Sequence, residues 1–287
     1  MTFISKVVFF LSCFSSFSSF SVCASAWASD YQSPRTSALG GAGHASPLFT
    51  DALYLNPSFI SFMPLQALSL GYMTYNETGL GHTVNISLQS GARELPIQFG
   101  VGYTRFESDS MVHFGVSKKF FDWYAIGVST KLVLPGRSLE SKVIDATVSL
   151  SGIFSSWFRA SLIVDNLLQT AIDQGLYRQY ILGTKWSLGS IIQLYLDPHW
   201  APSLSTDSFS QKDWGYEAGV EVPVLENLFV RFGSFNNSTT PNQTQIGDGF
   251  GLGIGWAGSL FSIDYAMSRT VQPSLLWAYS IGMTAYF

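Results

Sequence analysis

Val84-Asn85-Ile86-Ser87-Leu88 alternates apolar and polar side chains, and so does Tyr124-Ala125-Ile126-Gly127-Val128-Ser129-Thr130-Lys131-Leu132. The same period of two returns in Ile97–Tyr103, Ala146–Leu150, Phe158–Leu162 and Leu228–Gly233. Between residues 66 and 287 these runs are about ten residues long, the length a strand needs to cross a bilayer at a tilt. One face of each strand is therefore apolar and the other polar or small, as expected of a wall between lipid and a lumen.

The connections alternate too. Tight turns are expected at Asp122, Ser155-Ser156, Gly189-Ser190, Val224–Asn227 and Gly258-Ser259. Longer loops fall between them at Pro135–Ser141, Leu168–Tyr177, Pro198–Asp213, Phe235–Gly247 and Arg269–Ser274. About fourteen strands result, an even number with short turns at one end and long loops at the other. The fold expected is all-β, a 14-stranded antiparallel transmembrane β-barrel over residues 66–287. Short turns on the periplasmic side would place both mature termini there, in the outer membrane of a bacterium.

Composition agrees. Of 287 residues 47% are hydrophobic and only 12% charged, about half the usual charged share. After residue 30 no apolar run reaches the ~18 residues of a membrane-spanning helix. Residues 1–28 read as a secretory signal: Lys6, an apolar stretch rich in Val, Phe and Ser, then small-residue cleavage sites at Ala24-Ser25-Ala26 or Ala26-Trp27-Ala28. Val22 before Cys23 does not suit a lipoprotein signal. Cys13 and Cys23 both lie in this segment, so the mature chain is expected to have no disulfide, thiolate metal site or cysteine nucleophile. Without Lys6 the chain holds 14 basic and 19 acidic residues, a net charge of −5, which suggests no nucleic-acid partner.

With the apolar phase outward, Lys131, Asp145, Arg159, Asp165, Lys185, Glu217, Glu221, Arg231 and Asp264 all fall inward. A basic side chain facing mid-bilayer lipid costs on the order of 2–4 kcal/mol, which explains the sorting. Arg105 falls outward, near a strand end from which it can reach the interface. The chain closes on Tyr279-Ser280-Ile281-Gly282-Met283-Thr284-Ala285-Tyr286-Phe287. This alternation to a terminal Phe resembles the signal by which the barrel-assembly machinery recognises outer-membrane proteins.

Residues 29–65 lack the alternation and are rich in Gly, Ser, Ala and Pro. Here Thr36-Ser37-Ala38-Leu39-Gly40-Gly41-Ala42-Gly43 is followed by Asp51-Ala52-Leu53-Tyr54-Leu55-Asn56-Pro57-Ser58. This pattern resembles the N-terminal signature of FadL-type transporters, with Ser58 in place of the usual Ala. The shorter stretches Leu162–Leu167, Gly215–Glu221, Val230–Gly233 and Ile263–Ala266 resemble the smaller, PorV-like branch of that superfamily. The resemblance implies a fourteen-stranded outer-membrane barrel that moves long-chain fatty acids or other hydrophobic compounds. It also implies that residues 29–65 form a small hatch inside the lumen, with Gly40, Gly41, Gly43, Asp51, Asn56 and Pro57 as its motif.

The residues of that segment have their own reading. Asn56 suits a helix N-cap and Pro57 the first helical position, so a short helical turn is expected over Pro57–Met63. Phe59, Ile60 and Phe62 are then available for packing, and Phe59 and Phe62 for a ligand. The glycines Gly40, Gly41 and Gly43 permit tight bends and close approach. A fourteen-stranded barrel is wider than one its own side chains fill, so something must close it.

Little else suggests chemistry. His44, His82, His113 and His199 have no metal-like spacing, no Ser/His/acid set can be assembled, and no cofactor or enzymatic activity is expected. Inward Lys131, Arg159, Lys185 and Arg231 could each bind a fatty-acid carboxylate. The simpler reading of each is an ion pair with Asp145, Asp165, Glu217 or Asp264 that holds the wall rigid. Trp200, Pro202, Leu204 and Phe209 could catch a hydrophobic molecule in their loop or serve as girdle and packing residues. Three functions remain: passive uptake of hydrophobic molecules, a PorV-type role in secretion or surface assembly, and a general porin.

Overall fold

Each alternating run forms a strand. The structure is a computed structural model that describes residues 31–76, 81–92, 95–106, 109–134, 142–170, 177–202, 213–239, 246–272 and 275–287. The signal expected over residues 1–28, and the loop residues Leu204 and Phe209, lie outside these. The strands are β1 (Gln66–Tyr75), β2 (His82–Ser90), β3 (Gln98–Arg105), β4 (Ser110–Phe120), β5 (Tyr124–Leu134), β6 (Val143–Ile153) and β7 (Phe158–Asp165). They continue as β8 (Gln179–Leu188), β9 (Ile192–Trp200), β10 (Trp214–Leu225), β11 (Leu228–Thr239), β12 (Ile246–Ala257), β13 (Phe261–Gln272) and β14 (Leu276–Tyr286). Neighbours in sequence pair antiparallel, and β1 pairs β14 to close the barrel. The amide of Gln66 donates to the Phe287 carbonyl at 3.1 Å, and the amide of Phe287 donates to the Gln66 carbonyl at 3.0 Å. The terminal Phe thus locks the seam.

Burial follows the opposite rule from a water-soluble protein. On β2 the apolar Val84, Ile86 and Leu88 are 39%, 37% and 37% exposed, while the polar Asn85, Ser87 and Gln89 are 1%, 3% and 0% exposed. Only an apolar surrounding makes that arrangement favourable. All nine charged residues assigned inward take the buried phase or its half-buried positions. Arg105 is outward at the last residue of β3. Lys118 and Arg269 also take outward positions near strand ends, each over a ring, Phe120 at 5.7 Å and Trp277 at 5.1 Å.

Aromatic residues mark both rims. Towards the short turns, ring contacts run Phe120–Tyr124 (5.5 Å), Trp123–Phe154 (6.1 Å), Phe154–Phe158 (5.8 Å) and Phe158–Trp186 (5.6 Å). At the other rim Trp200 stacks between Tyr180 (5.5 Å) and Trp214 (5.8 Å). Trp200 is therefore a girdle residue at the end of β9, not part of the loop. The loops expected at Phe235–Gly247 and Arg269–Ser274 are also shorter than their sequence suggests, because β11 runs to Thr239 and β13 to Gln272. There the ladder continues past the girdle, where neither face meets lipid and the apolar alternation ends. Register shifts near Phe235/Ser238 and Asp248/Gly249 mark the change.

Residues 31–63 lie against the lumen side of the wall. They include the helix α1 (Pro34–Ala38), a 3-10 turn (Phe49–Asp51), the helix α2 (Ala52–Leu55) and a second 3-10 turn (Pro57–Phe62). Inward glycines let this segment touch the wall's backbone. A Cβ on Gly127 would lie 2.1 Å from the Ser58 amide nitrogen, and one on Gly233 would lie 2.0 Å from the Leu39 carbonyl carbon. In β12, Gly251 faces the Ser37 carbonyl in the same way, and Gly253 faces the Ala38 methyl group. Gly127→Val and Gly233→Val, which would drive a side chain into backbone, are each expected to lower unfolding stability by about 3 kcal/mol or more, the upper end of overpacking costs. Gly189→Ala, at a turn with φ +62° and open space around it, should cost only the ~1–2 kcal/mol of a left-handed residue. Denaturant midpoints of the refolded barrel check the order.

Candidate functional site

The candidate site is the lumen, where the N-terminal segment meets the wall. Its glycines make the bends: Gly40, Gly41 and Gly43 have φ of +67°, +92° and +131°. A Cβ at Gly40 would also lie 2.6 Å from the Ser234 amide nitrogen, so both backbone angle and space require glycine there. Asp51 is buried and accepts from the hydroxyls of Ser33 (2.8 Å) and Thr36 (3.3 Å), stapling the start of α1 to the turn before α2. Burial pushes its carboxyl above the ordinary range, with the nearby Arg35 opposing.

Asn56 does not cap the turn that follows it. Its backbone is extended, with φ −160°, and its amide group points to the wall instead. Nδ2 donates to the His44 carbonyl (2.6 Å), Ser151 Oγ (2.8 Å) and Ser161 Oγ (3.0 Å), while Oδ1 accepts from Ser58 Oγ (2.6 Å). One fully buried side chain thereby joins two parts of the segment to β6 and β7. Pro57 supplies the first position of the 3-10 turn. Next to it the Ser58 amide donates to Ser149 Oγ (2.8 Å), and the Ser58 carbonyl accepts from Ser117 Oγ (2.8 Å). The wall facing this half is a field of hydroxyls.

The other half of the segment meets charges. Asp197, fully buried on β9, accepts from the amides of Gly43 (2.7 Å) and His44 (2.9 Å), and its Oδ2 lies 2.9 Å from His44 Nδ1. Its Oδ1 accepts from the Thr184 amide (3.0 Å). That last bond joins Asp197 to β8 beside a gap in the ladder. The β8–β9 register passes from Ile181↔His199 to Thr184↔Leu196 around Pro198, which has no N–H to give. Arg35 donates from Nε to Glu221 (3.1 Å) and from Nη2 to the Tyr195 hydroxyl (2.7 Å).

The four inward cations separate into two kinds. Lys131 is paired with Asp165 at 3.1 Å. Arg231 is paired with Glu221 at 2.6 Å and also with Asp264. Arg159 and Lys185 have no carboxylate at ion-pair distance among the described residues. They donate instead to one hydroxyl, Ser46 Oγ, at 2.9 and 3.5 Å. Arg159 also lies over the Phe59 ring at 5.9 Å, and Phe59 contacts Phe62 at 5.3 Å. Asp145, expected among the wall's ion partners, accepts from the amides of Leu168 (2.9 Å) and Thr170 (3.4 Å). Ser46, Tyr195 and Asp197 were not singled out in the sequence. The serines Ser117, Ser149, Ser151 and Ser161 carried a legible signal, recurring in the inward phase of successive strands.

Two outcomes are expected. Asn56→Ala removes two N–H donors, which serve three acceptors, and the Oδ1 acceptor from a buried network, and should cost about 2–4 kcal/mol of unfolding free energy, read from denaturant midpoints. For His44, burial alone would lower the imidazole pKa, but the hydrogen bond and charge of Asp197, with Glu217 beyond, outweigh burial and raise it against the opposing His199. A raised histidine stabilises fully below its unfolded pKa of about 6.5 and loses that contribution as pH rises through the folded value. The stability difference between the native chain and His44→Gln should therefore be greatest at acidic pH and shrink towards alkaline pH.

No protein-family model matches the chain, and no curated protein matches it in sequence. Solved structures do match in shape. The monoaromatic hydrocarbon channel CymD aligns with 89% of this chain and 97% of its own at a TM-score of 0.65 and 14% identity. The Pseudomonas putida toluene transporter TodX aligns with 92% and 99%, at 0.65 and 11% identity. A Pseudomonas aeruginosa FadL homologue aligns with 91% and 99%, at 0.60 and 12% identity. At these identities the likeness is one of fold, and the chain has the fold of the FadL-type hydrophobic-compound channels.

Proposed function

We propose that the protein is an outer-membrane channel for hydrophobic small molecules, closed at rest by a hatch made of residues 31–63. The observation that carries this reading is the bonding of the segment. It is fixed to these strands by separate hydrogen bonds, to the hydroxyls of β4, β6 and β7 and to Asp197 and Glu221, and among the described residues its covalent tie to the wall is the peptide chain that leads into β1. Each such contact contributes on the order of 1–3 kcal/mol, so the segment is held in place yet can be moved. The fold shared with TodX and CymD, described as a toluene transporter and a monoaromatic hydrocarbon channel, supports the same class of cargo.

Long-chain fatty acids are the finer reading, from the sequence signature at Gly40–Pro57 and from the basic residues of the lumen. Phe59 and Phe62 would pack against the apolar chain. Transport would be passive, down a gradient. Short turns and both mature termini would face the periplasm, and the terminal Phe287 would be read by the barrel-assembly machinery. A general porin needs an open lumen, and the bonded segment argues against it. A PorV-type assembly role would show itself as a protein that co-purifies without hydrophobic cargo.

Ser58 Oγ and Ser151 Oγ are 2.6 Å apart, which brings the segment and the wall within reach of a cross-link. In cells carrying Ser58→Cys with Ser151→Cys, oxidation should stop uptake of labelled fatty acid and of toluene, and a reductant should restore it. Uptake unchanged by a complete cross-link would sink the hatch reading.

A further inference from the structure

The outer surface of the long-loop rim turns cations towards lipid without a counter-charge. Arg105 ends β3, Lys142 and Arg178 stand just before β6 and β8, and Arg269 lies near the end of β13, all in the outward phase. Among the described residues none of the four has a carboxylate at ion-pair distance. At the short-turn rim the described cations outside the lumen are Lys118 and Lys119, and Lys119 is paired with Asp122 at 3.2 Å. An arginine is tolerated at the depth of a girdle because its head reaches the headgroup layer.

Arg269 is the most closely held of the four. In the register it stands between Phe250 on β12 and Trp277 on β14. Those rings meet edge to face at 6.0 Å, and the guanidinium carbon lies 5.1 Å from the centre of the Trp277 ring. Its Nε is buried and has no acceptor, while the residue as a whole is half-buried. With Nε enclosed, the terminal nitrogens are the donors that remain for a ligand. Towards mid-bilayer the outward surface continues through Tyr265, Ile263 and Ile281, all exposed. Arg178 repeats the arrangement on β8. Its Nη2 donates to the Leu167 carbonyl at 2.7 Å, its Nε is buried without an acceptor, and the next outward residue is the girdle residue Tyr180. A free anion would leave the apolar surface below each guanidinium unused, whereas an anion joined to acyl chains covers both.

We propose that Arg269, held by Phe250 and Trp277, binds the phosphate of an anionic lipid at the long-loop rim, with the acyl chains lying on Tyr265, Ile263 and Ile281. Arg178 above Tyr180 is a second site of the same kind. A guanidinium presents parallel N–H groups to two phosphate oxygens, and its fixed plane means that little freedom is lost on binding. Bound lipid of this kind sets the height of the barrel in the membrane at its long-loop end. The site is on the outside of the wall, so it stands or falls independently of what passes through the lumen.

The test titrates the purified full barrel, in an uncharged detergent, with dioleoylphosphatidic acid, dioleoylglycerol and inorganic phosphate, and counts bound molecules by native mass spectrometry. Phosphatidic acid is expected to bind about tenfold or more tightly than the glycerol lipid with the same chains. Arg269→Gln should cut that preference about fivefold, and adding Arg178→Gln should cut it further by a similar factor. Arg269→Lys keeps the charge and should lose less than Arg269→Gln. Equal affinity for the two lipids in the native barrel would overturn the proposal with no variant needed. An unchanged preference in the double glutamine variant would place the lipid elsewhere and overturn it too. Inorganic phosphate that displaces phosphatidic acid at equal concentration would overturn the lipid as occupant.

Discussion

Everything in this barrel follows from the cost of leaving a backbone N–H or C=O unpaired in hydrocarbon. Each such group costs several kcal/mol, so no strand in the bilayer can be an edge. The ladder therefore closes on itself between β1 and β14, down to the paired amides and carbonyls of Gln66 and Phe287. Closure then dictates polarity. The outer face must be apolar along its whole height, and polar side chains have only the inside to go to. With fourteen strands that inside is wider than its own side chains fill, and the N-terminal segment occupies it as a second layer of polar and small residues.

This segment is unlike an ordinary core. Its contacts with the wall are made by backbone amides, hydroxyls and a few buried charges, together with apolar clusters around Phe59, around Leu39 and Tyr195, and around Tyr31, Leu53 and Tyr54. Non-directional packing would hold it in many positions; hydrogen bonds hold it in one. Glycines in the wall bring the two backbones close enough for those bonds to form.

Much of the fold was legible because lipid and lumen impose a period of two that soluble folds rarely sustain. The strand count, the tight turns and the inward charges were all readable from that period. The strand ends were less so. Where β11 and β13 rise beyond the lipid their side chains no longer need to alternate, and Asn236–Thr239 looks like loop although it is ladder. In the site, the pattern around Asn56 was visible but its meaning was not. A local rule makes asparagine before proline a helix cap, whereas here long-range partners on β6 and β7 claim its amide. Asp197 was missed because a single acid in an apolar strand before Pro198 looks like the start of a loop. The distinction between Lys131 and Arg231, which have carboxylate partners, and Arg159 and Lys185 depends on neighbours far apart in sequence.

Asp197 gives the wall and the segment a common fastener. One of its oxygens accepts from the Thr184 amide of β8, beside the gap in the ladder at Pro198, and the other holds the bend at Gly43 and His44. Inheritance at this position is therefore constrained twice over. A lineage that loses this carboxylate must find another acceptor for the Thr184 amide and another anchor for the bend. Compensating changes for a lesion at residue 197 would be found in both places at once, on β8 and in the glycine-rich turn, although the two lie about 140 residues apart along the chain.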